Sequence, residues 1–294
     1  MINYRFIVFL LISHILYKKI TLVIIMLQQK MKQFVLGQEH VFEPLIEYVQ
    51  IGEAGMTDSD ELRGAFLFTG PTGTGKTETA KVLAKLLNKE LLRFDMSEYK
   101  NSKKFLHDLT TKLEKNSNGI ILLDEIEKGN MELFDYFLQI LSEAKVTYEQ
   151  KEYDFSKSYL IMTSNIGSKN IMGQENFAIA KRIVERLVKS YFRPEFLGRI
   201  CRDCQICFKP LEYKVMKKIV QQKVEMRIET LQEKGYILEY NKNILPFIMN
   251  VGVNPKFGAR PVVQAIKKHI RLALLKADKK NGMLIERNNK IVLE

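Results

Sequence analysis

The sequence predicts an α/β fold in which a parallel sheet flanked by helices is followed by a smaller, mainly helical α+β domain. The first observation is a series of short apolar runs that lack polar alternation, as strands buried on both faces of a parallel sheet do. The second is that segments of helical periodicity separate these runs. The four predicted strands are Ala65–Thr69, Leu91–Asp95, Ile120–Leu123 and Tyr159–Thr163.

Helices are predicted where apolar residues recur at intervals of three and four. Between the first two strands this spacing links Ala80, Leu83, Ala84 and Leu87. A second such segment runs from about Met131 to Ala144, between the third and fourth strands. Helices at these points of the chain are expected to cover the sheet.

A second, smaller domain is predicted beyond Pro194 and Gly198, where the pattern becomes mainly helical. Its expected elements are the helices Leu211–Glu233 and Pro261–Lys279 and the strands Tyr236–Tyr240 and Lys290–Leu293. We therefore divide the folded chain into a large domain at residues 31–200 and a small domain at residues 201–294.

The first 30 residues differ from the rest and are predicted to be a hydrophobic extension outside both domains. Two lysines separate the apolar runs Phe6–Leu16 and Ile20–Leu27, and neither run is long enough to cross a bilayer. The segment is compatible with a signal-peptide core, with an organellar leader, or with a true start of translation at Met26 or Met31. We favour an unstructured or non-native extension. The expected location is the cytoplasm, or an organellar matrix if the segment is a leader.

The composition is that of a folded protein. It gives little indication that the protein binds nucleic acid, holds a metal ion or is secreted. Hydrophobic residues make up 46% and charged residues 27%. The formal net charge of +12 is spread over helical segments without a dense basic run, so it predicts solvated faces, although it alone would suggest a DNA-linked motor. Cys201, Cys204 and Cys207 have no fourth zinc ligand nearby and are interpreted as small apolar residues along a strand. Their odd number argues against a disulfide-built protein.

The segment GPTGTGKT has the P-loop pattern in the context that this motif requires. It follows the first strand and opens a helix, so its backbone N–H groups and the helix N-terminus should converge on phosphate oxygens. Lys76 is expected to neutralise the β and γ phosphates of ATP, and the Thr77 hydroxyl to ligate Mg²⁺. The predicted phosphate-binding residues are Gly70, Pro71, Thr72, Gly73, Thr74, Gly75, Lys76 and Thr77.

Two adjacent carboxylates end the apolar run IILLDE, at the edge where open α/β sheets collect their ligands. Asp124 can hold Mg²⁺ through water, so it joins the predicted nucleotide site and, with Thr77, forms the predicted metal site. Glu125 is placed to polarise the attacking water, because phosphoryl transfer to water needs a base beside an in-line nucleophile.

Five segments carry a family resemblance, and they occur in the family's order. They are DMSEY (Asp95–Tyr99), LLDEIEK (Leu122–Lys128), IMTSNIGS (Ile161–Ser168), FRPEFLGRI (Phe192–Ile200) and FGARP (Phe257–Pro261). Together they resemble the motifs of the Clp-type AAA+ unfoldases and disaggregases. From Phe34 to about Glu294, the chain resembles their second, C-terminal ATPase module with its small C-terminal domain.

The resemblance implies further site residues and a partner. Val35 and Leu36, in the VLGQ segment, would lie beside the adenine. Asn165 would be the sensor that orients the hydrolytic water, and Arg260 the second sensor in the helical lid. Arg199 would be the finger that reaches the γ-phosphate of a neighbouring subunit. Family members form hexamers, so the resemblance implies self-association into a ring, with protein substrates possible.

Three features depart from the family's pattern. Only Lys100–Gly119 separates DMSEY from the carboxylate strand, and it lacks the glycine, aromatic, valine, glycine loop that grips polypeptide in the ring's pore. Phe105 is its nearest aromatic residue, and helical spacing predicts that this side chain lies in the core. The segment between Ser168 and Phe192 has no evident protease-docking loop, so no protease ring is predicted as a partner. Gly198 stands where an asparagine commonly precedes the finger arginine.

The sequence thus predicts an ATP-binding and ATP-hydrolysing protein of the Clp chaperone type, which couples hydrolysis in a ring to protein remodelling. The alternative is a nucleotide-gated assembly or adaptor subunit that binds ATP without threading substrate, because the pore loop is missing. Neither nucleic acid nor, apart from the N-terminal extension, a membrane is predicted as a partner.

Overall fold

The computed structural model describes residues 25–294 except 172, 173, 175, 255–257 and 278. The chain forms two compact units. The first holds the described residues up to Gly70 together with Gly75–Phe208, and the second holds Pro71–Thr74 with Lys209–Glu294. Most of the predicted leader or signal-peptide core, residues 1–24, lies outside the described residues, and a start of translation at Met26 or Met31 stays a prediction.

The first unit is built on a five-stranded sheet in which every strand pair is parallel. Its strands are β1 (Gly64–Thr69), β2 (Leu91–Asp95), β3 (Ile120–Asp124), β6 (Tyr159–Ser164) and β7 (Gln205–Cys207). The order across the sheet is β2-β3-β6-β1-β7, and all residues of the central β3 and β6 are buried. The predicted α/β class is therefore confirmed, and each of the four predicted strands is present to within one residue at either end.

Helices flank this sheet, and two of them begin at side chains that accept backbone N–H bonds. The helices are α1 (residues 25–34), α2 (Glu39–Glu53), α3 (Lys76–Leu86), α4 (Ser102–Lys115), α5 (Leu133–Glu143), α6 (Ser168–Ile171), α7 (Phe177–Tyr191) and α8 (Pro194–Gly198). Asn101 accepts from the N–H groups of Lys103 and Lys104 at the start of α4. Asn176 caps α7 in the same way. These caps satisfy donors that the first turn of a helix leaves without a partner.

Helix α1 corrects the expectation that the first 30 residues are an unstructured extension. Residues 25–30 are helical, and Leu27, Met31 and Val35 are buried in the core of the first unit. Leu27 and Met31 are four residues apart and so share one face of the helix, and Val35 directly follows its last turn. The end of the predicted extension therefore falls inside a helix that packs against the large domain.

A short hairpin was not predicted. It joins β4 (Lys145–Tyr148) to β5 (Lys151–Asp154) through Glu149 and Gln150, whose φ angles are 49° and 65°. Tight hairpins need two such left-handed residues, and Asn-Gly or Asp-Gly is the usual sequence signal. Glu-Gln gives no such signal, which explains why the sequence did not reveal the turn.

The second unit has its own sheet and core. Strands β8 (Ile237–Tyr240), β9 (Asn281–Arg287) and β10 (Lys290–Leu293) form a sheet in the order β10-β9-β8. Helices α9 (Tyr213–Gln232), α10 (Ile244–Gly252) and α11 (Arg260–Ala277) supply most of the buried apolar residues. The boundary at residue 201 was placed too early, because β7 pairs with β1 and keeps residues up to Phe208 in the first unit. No helix in the described ranges has the length and apolarity needed to span a membrane.

Helix α4 fills the short segment between β2 and β3, and Phe105 anchors it. The Phe105 side chain is fully buried and makes edge-on contacts with the rings of Phe94, Tyr99 and Phe137 at centroid distances of 5.3–5.7 Å. Aromatic pairs in this arrangement add to the stabilisation from burial. Phe105 is therefore a core residue, as its helical spacing predicted.

We expect Phe105→Ala to lower the free energy of unfolding by about 3–5 kcal/mol, because it removes a buried ring and leaves a cavity. Urea unfolding followed by circular dichroism measures the change. The exposed Lys103 of the same helix provides the matched control, since Lys103→Ala should change stability by less than about 0.5 kcal/mol. Equal effects of the two substitutions would contradict the core assignment.

Candidate functional site

The P-loop connects the end of β1 to the start of α3 in a backbone conformation that requires glycine. Gly70 has a φ of 128°, and a Cβ there would lie 2.4 Å from the carbonyl oxygen of Phe208. Gly75, the residue before α3, has a φ of 108°. Both conformations are open mainly to glycine, so neither position tolerates a side chain without strain. A loop of this kind exposes backbone N–H groups in the way that phosphate binding requires.

Lys76 lies buried at the start of α3 and joins the P-loop to the end of β6. Only 6% of the residue is exposed. Its Nζ donates hydrogen bonds to the Gly70 carbonyl oxygen at 2.7 Å and to Asn165 Oδ1 at 3.0 Å. Burial lowers the pKa of Lys76 to about 8, against the opposing pull of Glu127 and Asp124. The structure thus brings the predicted phosphate ligand and the predicted sensor into direct contact.

Asp124 ends β3 and receives hydrogen bonds from three other elements. Its carboxylate accepts from Thr77 Oγ1 of α3 at 3.0 Å and from Thr163 Oγ1 of β6. Arg93 Nη2 of β2 forms an ion pair with it at 2.7 Å. Asp124 is only 7% exposed, and a buried carboxylate needs such partners to offset its lost hydration. The two predicted metal ligands, Thr77 and Asp124, therefore touch each other.

Glu125 follows in a left-handed backbone conformation with a φ of 57°. Such a conformation costs about 1–3 kcal/mol in a residue other than glycine and is frequent at functional sites. The Glu125 N–H donates to Thr163 Oγ1 at 3.1 Å, which fixes this backbone against β6. Its carboxylate accepts from Asn165 Nδ2 at 3.2 Å and pairs with Lys128. The turn thus directs a carboxylate to the side chain of Asn165.

Glu127 supports the loop that carries Asn165. Its Oε1 accepts from the Asn165 backbone N–H at 3.0 Å, and its backbone carbonyl accepts from the hydroxyl of Tyr191. Its Oε2 is buried and has no hydrogen-bond partner among the residues that the structure describes. Three acidic side chains, Asp124, Glu125 and Glu127, therefore surround one buried lysine.

The remaining predicted residues lie at other points of the two units. Val35 is buried, with Cγ1 3.5 Å from the position that a Cβ would occupy at Gly75, and Leu36 is half-buried beside it in sequence. Arg199 is exposed directly after α8, and within the described ranges its side chain has no hydrogen bond or ion pair. Arg260 is exposed at the start of α11 in the second unit.

Comparison with known proteins assigns the family. A family model described as AAA domain (Cdc48 subfamily) matches residues 61–202, and one described as the C-terminal, D2-small domain of ClpB protein matches residues 211–283. The chain is 33% identical over 273 residues to the chaperone protein ClpB of Prochlorococcus marinus. The aligned region covers 85% of this chain and 31% of that protein. The chain belongs to the Clp family of AAA+ proteins.

Two further relatives agree with this assignment. The mitochondrial chaperone protein ClpB4 of Arabidopsis thaliana is 33% identical over 287 residues, which cover 87% of this chain and 30% of that protein. The solved S. cerevisiae Hsp104–ADP complex matches with a TM-score of 0.81 and 28% identity, over 92% of this chain and 52% of that chain. The chain corresponds to the second ATPase module of a Clp protein with its small C-terminal domain, and it spans about a third of the length of the curated relatives.

Four residues of this Clp module contact the predicted site but were not predicted from the sequence. Arg93, Glu127, Lys128 and Thr163 all lie within or beside segments whose family resemblance was recognised. Arg93 is the only charged residue inside the run LLRF, and that isolated charge could have served as a signal that Arg93 belongs to the site. Thr163 gave none, because a threonine in a buried strand is ordinary and its two hydrogen bonds depend on which strand lies beside it.

The lowered pKa of Lys76 predicts that part of the stability of this Clp module rises with pH. The folded value is about 8 and the ordinary value is 10.5, so between these pH values the native state binds fewer protons than the unfolded state. The free energy of unfolding therefore increases as the pH rises through this window. Urea unfolding should show the wild type gaining stability relative to Lys76→Met, by at most about 3 kcal/mol. A stability difference that does not change with pH would contradict this prediction.

Proposed function

We propose that the chain binds ATP with Mg²⁺ and hydrolyses it, and that it couples hydrolysis within a ring to the remodelling of protein substrates. The observation that carries this proposal is the hydrogen-bonded network at the carboxyl ends of β3 and β6. In it Lys76 contacts Asn165, Asn165 contacts Glu125, and Thr163 contacts both Asp124 and Glu125. Separate residues for phosphate, metal and water are thereby held in one network.

Phosphate binding is assigned to the P-loop backbone and to Lys76. A pKa of about 8 leaves Lys76 mostly protonated near neutral pH, so it would offer a positive charge to the phosphates. Its present acceptors, Gly70 O and Asn165 Oδ1, are neutral dipoles that a phosphate oxygen can replace. Because the lysine is buried, a bound phosphate would also relieve the cost of desolvating its charge. Val35 and Leu36 would border the base of the nucleotide.

Mg²⁺ binding is assigned to Thr77 and Asp124, whose oxygens already lie within hydrogen-bond distance of each other. A hydroxyl and a carboxylate are oxygen ligands of the kind that Mg²⁺ prefers. The ion would neutralise charge on the phosphate oxygens during transfer. Arg93 would be the counter-charge that pairs with Asp124 in the absence of the ion, since it reaches the same carboxylate from β2.

Activation of water is assigned to Glu125, with Asn165 as the residue that orients it. The Asn165 Nδ2 group donates to the carboxylate of Glu125, and its backbone is held by Glu127. An amide held at both its side chain and its backbone can fix the direction of the carboxylate toward an incoming water. Lys128 pairs with the other carboxylate oxygen of Glu125, so it would limit the rotation of the base.

The dependence of turnover on assembly is assigned to Arg199. Its side chain is exposed and carries a charge that no described residue of its own chain neutralises by an ion pair. An arginine supplied to the γ-phosphate of a neighbour accelerates transfer by about 10³–10⁵ and makes turnover depend on assembly. Arg260, at the start of α11, would act as the second sensor from the small domain. The family relationship supports a hexameric ring acting on protein substrates.

A second function is favoured by α4. This helix occupies most of Lys100–Gly119, and its aromatic residue Phe105 is buried in the core, so the described residues there include no aromatic gripping loop. A nucleotide-gated assembly or adaptor subunit, which joins a ring without threading substrate, accounts for that difference. Capture of a fluorescently labelled unfolded polypeptide by the ATP-bound Glu125→Gln variant would exclude this alternative.

We propose that the protein is located in the cytoplasm, or in an organellar matrix if the N-terminal segment is a leader. The cytoplasm, or an organellar matrix, agrees with relatives that include a protein with a mitochondrial name.

The proposed activity predicts that ATP turnover per chain rises cooperatively with protein concentration, because an active site needs the arginine of a neighbour. Lys76→Ala should abolish nucleotide binding and turnover. Arg199→Ala should retain nucleotide binding but lose turnover by about 10³-fold or more. Phosphate release measured over a range of protein concentrations, beside equilibrium nucleotide binding, separates the two effects.

Arg202→Ala is the matched control, because Arg202 is an exposed arginine three residues from Arg199 and has no assigned role. It should keep the turnover of the wild type. Nucleotide binding without turnover at any concentration would support the assembly-subunit function, and turnover independent of both concentration and Arg199 would contradict the neighbouring finger.

A further inference from the structure

Two cysteines lie one turn apart in the first unit, in the segment between α8 and β7. Cys201 is exposed and precedes a single 3₁₀ turn formed by Arg202–Cys204. Cys204 is buried, with 1% of its surface exposed. Its backbone N–H donates to the Cys201 carbonyl oxygen at 3.0 Å, which closes the turn. The pair therefore has the sequence Cys-Arg-Asp-Cys on a closed turn.

The turn brings the two thiols within reach of each other. A hydrogen bond from residue i+3 to residue i keeps the two Cα atoms within about 7 Å. Disulfides join Cα atoms that are about 4.4–6.8 Å apart. The Cys201 thiol also contributes to the raised pKa of the Cys204 thiol, as a neighbouring thiol does. A bond between them requires rotation of the side chains rather than a rearrangement of the backbone.

The surroundings give the two thiols different roles. Cys201 Sγ is exposed and contacts the hydroxyl of Tyr48 on α2 at 2.6 Å, so it is the sulfur that a dissolved oxidant can reach. Cys204 is buried, and burial raises the pKa of its thiol, so a dissolved oxidant does not react with it directly. In redox dithiols, an exposed sulfur reacts first and a protected sulfur resolves the intermediate.

Cys207 differs from this pair. It lies on β7, is buried, and its thiol pKa is raised to about 11 mainly by burial. Its position within a paired strand separates it from the turn, because β7 is hydrogen bonded to β1 along its length. Within the described ranges, no group of three or more His, Cys, Asp or Glu side chains is arranged to hold a metal ion. Cys207 thus serves as an internal reference thiol.

We infer that Cys201 and Cys204 are a redox-active dithiol that closes reversibly into an intramolecular disulfide. The oxidant is a low-molecular-weight disulfide such as glutathione disulfide. The Cys201 thiolate attacks one of its sulfurs, and the first glutathione leaves as a thiol after taking a proton. The Cys204 sulfur then attacks Cys201 Sγ, loses its proton to the second glutathione, and releases it. The two protein sulfurs lose two electrons in total, and the glutathione disulfide gains them.

Closure would fix the turn that begins two residues after Arg199. It would also leave the Tyr48 hydroxyl as the only possible donor in its contact with Cys201, since a disulfide sulfur carries no proton to donate. This inference concerns the thiols alone and does not depend on ATP turnover. Failure of the disulfide to form is therefore distinguishable from failure of the proposed ATPase.

The test uses the folded chain, first reduced and then incubated with glutathione disulfide in the presence of a chelator. Free thiols are then alkylated after denaturation, and the intact mass and peptide map are recorded. We expect the wild type to keep one alkylatable thiol of its three, at Cys207, and to yield a peptide cross-linked between Cys201 and Cys204. Reductant should restore all three thiols.

Two variants serve as controls on the wild-type result. Cys204→Ser should stop the reaction at a mixed disulfide between Cys201 and glutathione, because no resolving thiol remains. Cys201→Ser, at the exposed position, should leave both remaining thiols free. Three free thiols in the wild type would overturn the inference, as would glutathione retained on Cys201 or a cross-link between two chains.

Discussion

The buried carboxylate of Asp124 is the constraint on which the rest of the site depends. It is only 7% exposed, and Thr77, Thr163 and Arg93 reach it from three different elements and offset its lost hydration. Arg93 and Thr163 are brought to it by the parallel register, in which Asp124 lies opposite Asp95 of β2 while the preceding Leu123 lies opposite Met162 of β6. The same register places Thr163 where its hydroxyl can also hold the backbone of Glu125. The order of the strands thus determines which side chains surround Asp124 in the proposed site.

The electrostatic balance around Lys76 follows from the same arrangement. Burial disfavours its charge, while Glu127, Asp124 and Glu125 favour it, and the resulting pKa of about 8 lies near neutrality. Glu127 contributes twice, because it also fixes the backbone of Asn165. The acidic residues therefore offset part of the effect of burial on Lys76, the proposed phosphate ligand. They also hold the loop that contacts it.

Sequence was sufficient for those features that are local in the chain. The four predicted strands, the P-loop and the adjacent carboxylates each have a short and specific pattern, and all were located to within a residue or so. Arg93 and Thr163 were missed because their roles depend on the neighbouring strand, which no single segment reveals. The hairpin turn at Glu149 and Gln150 was missed because its left-handed residues are of unusual type. The boundary of the N-terminal extension was wrong because the sequence alone does not show that Leu27, Met31 and Val35 pack against the core.

The central claim is that Asp124 organises a site for ATP with Mg²⁺, and the affinity for ATP measured with and without Mg²⁺ tests it most directly. Calorimetry on the wild type, Asp124→Asn and Glu125→Gln would give the required comparison. The account predicts that Mg²⁺ tightens ATP binding in the wild type and in Glu125→Gln but not in Asp124→Asn, because only the last loses a metal ligand. An equal effect of Mg²⁺ on all three proteins would contradict it.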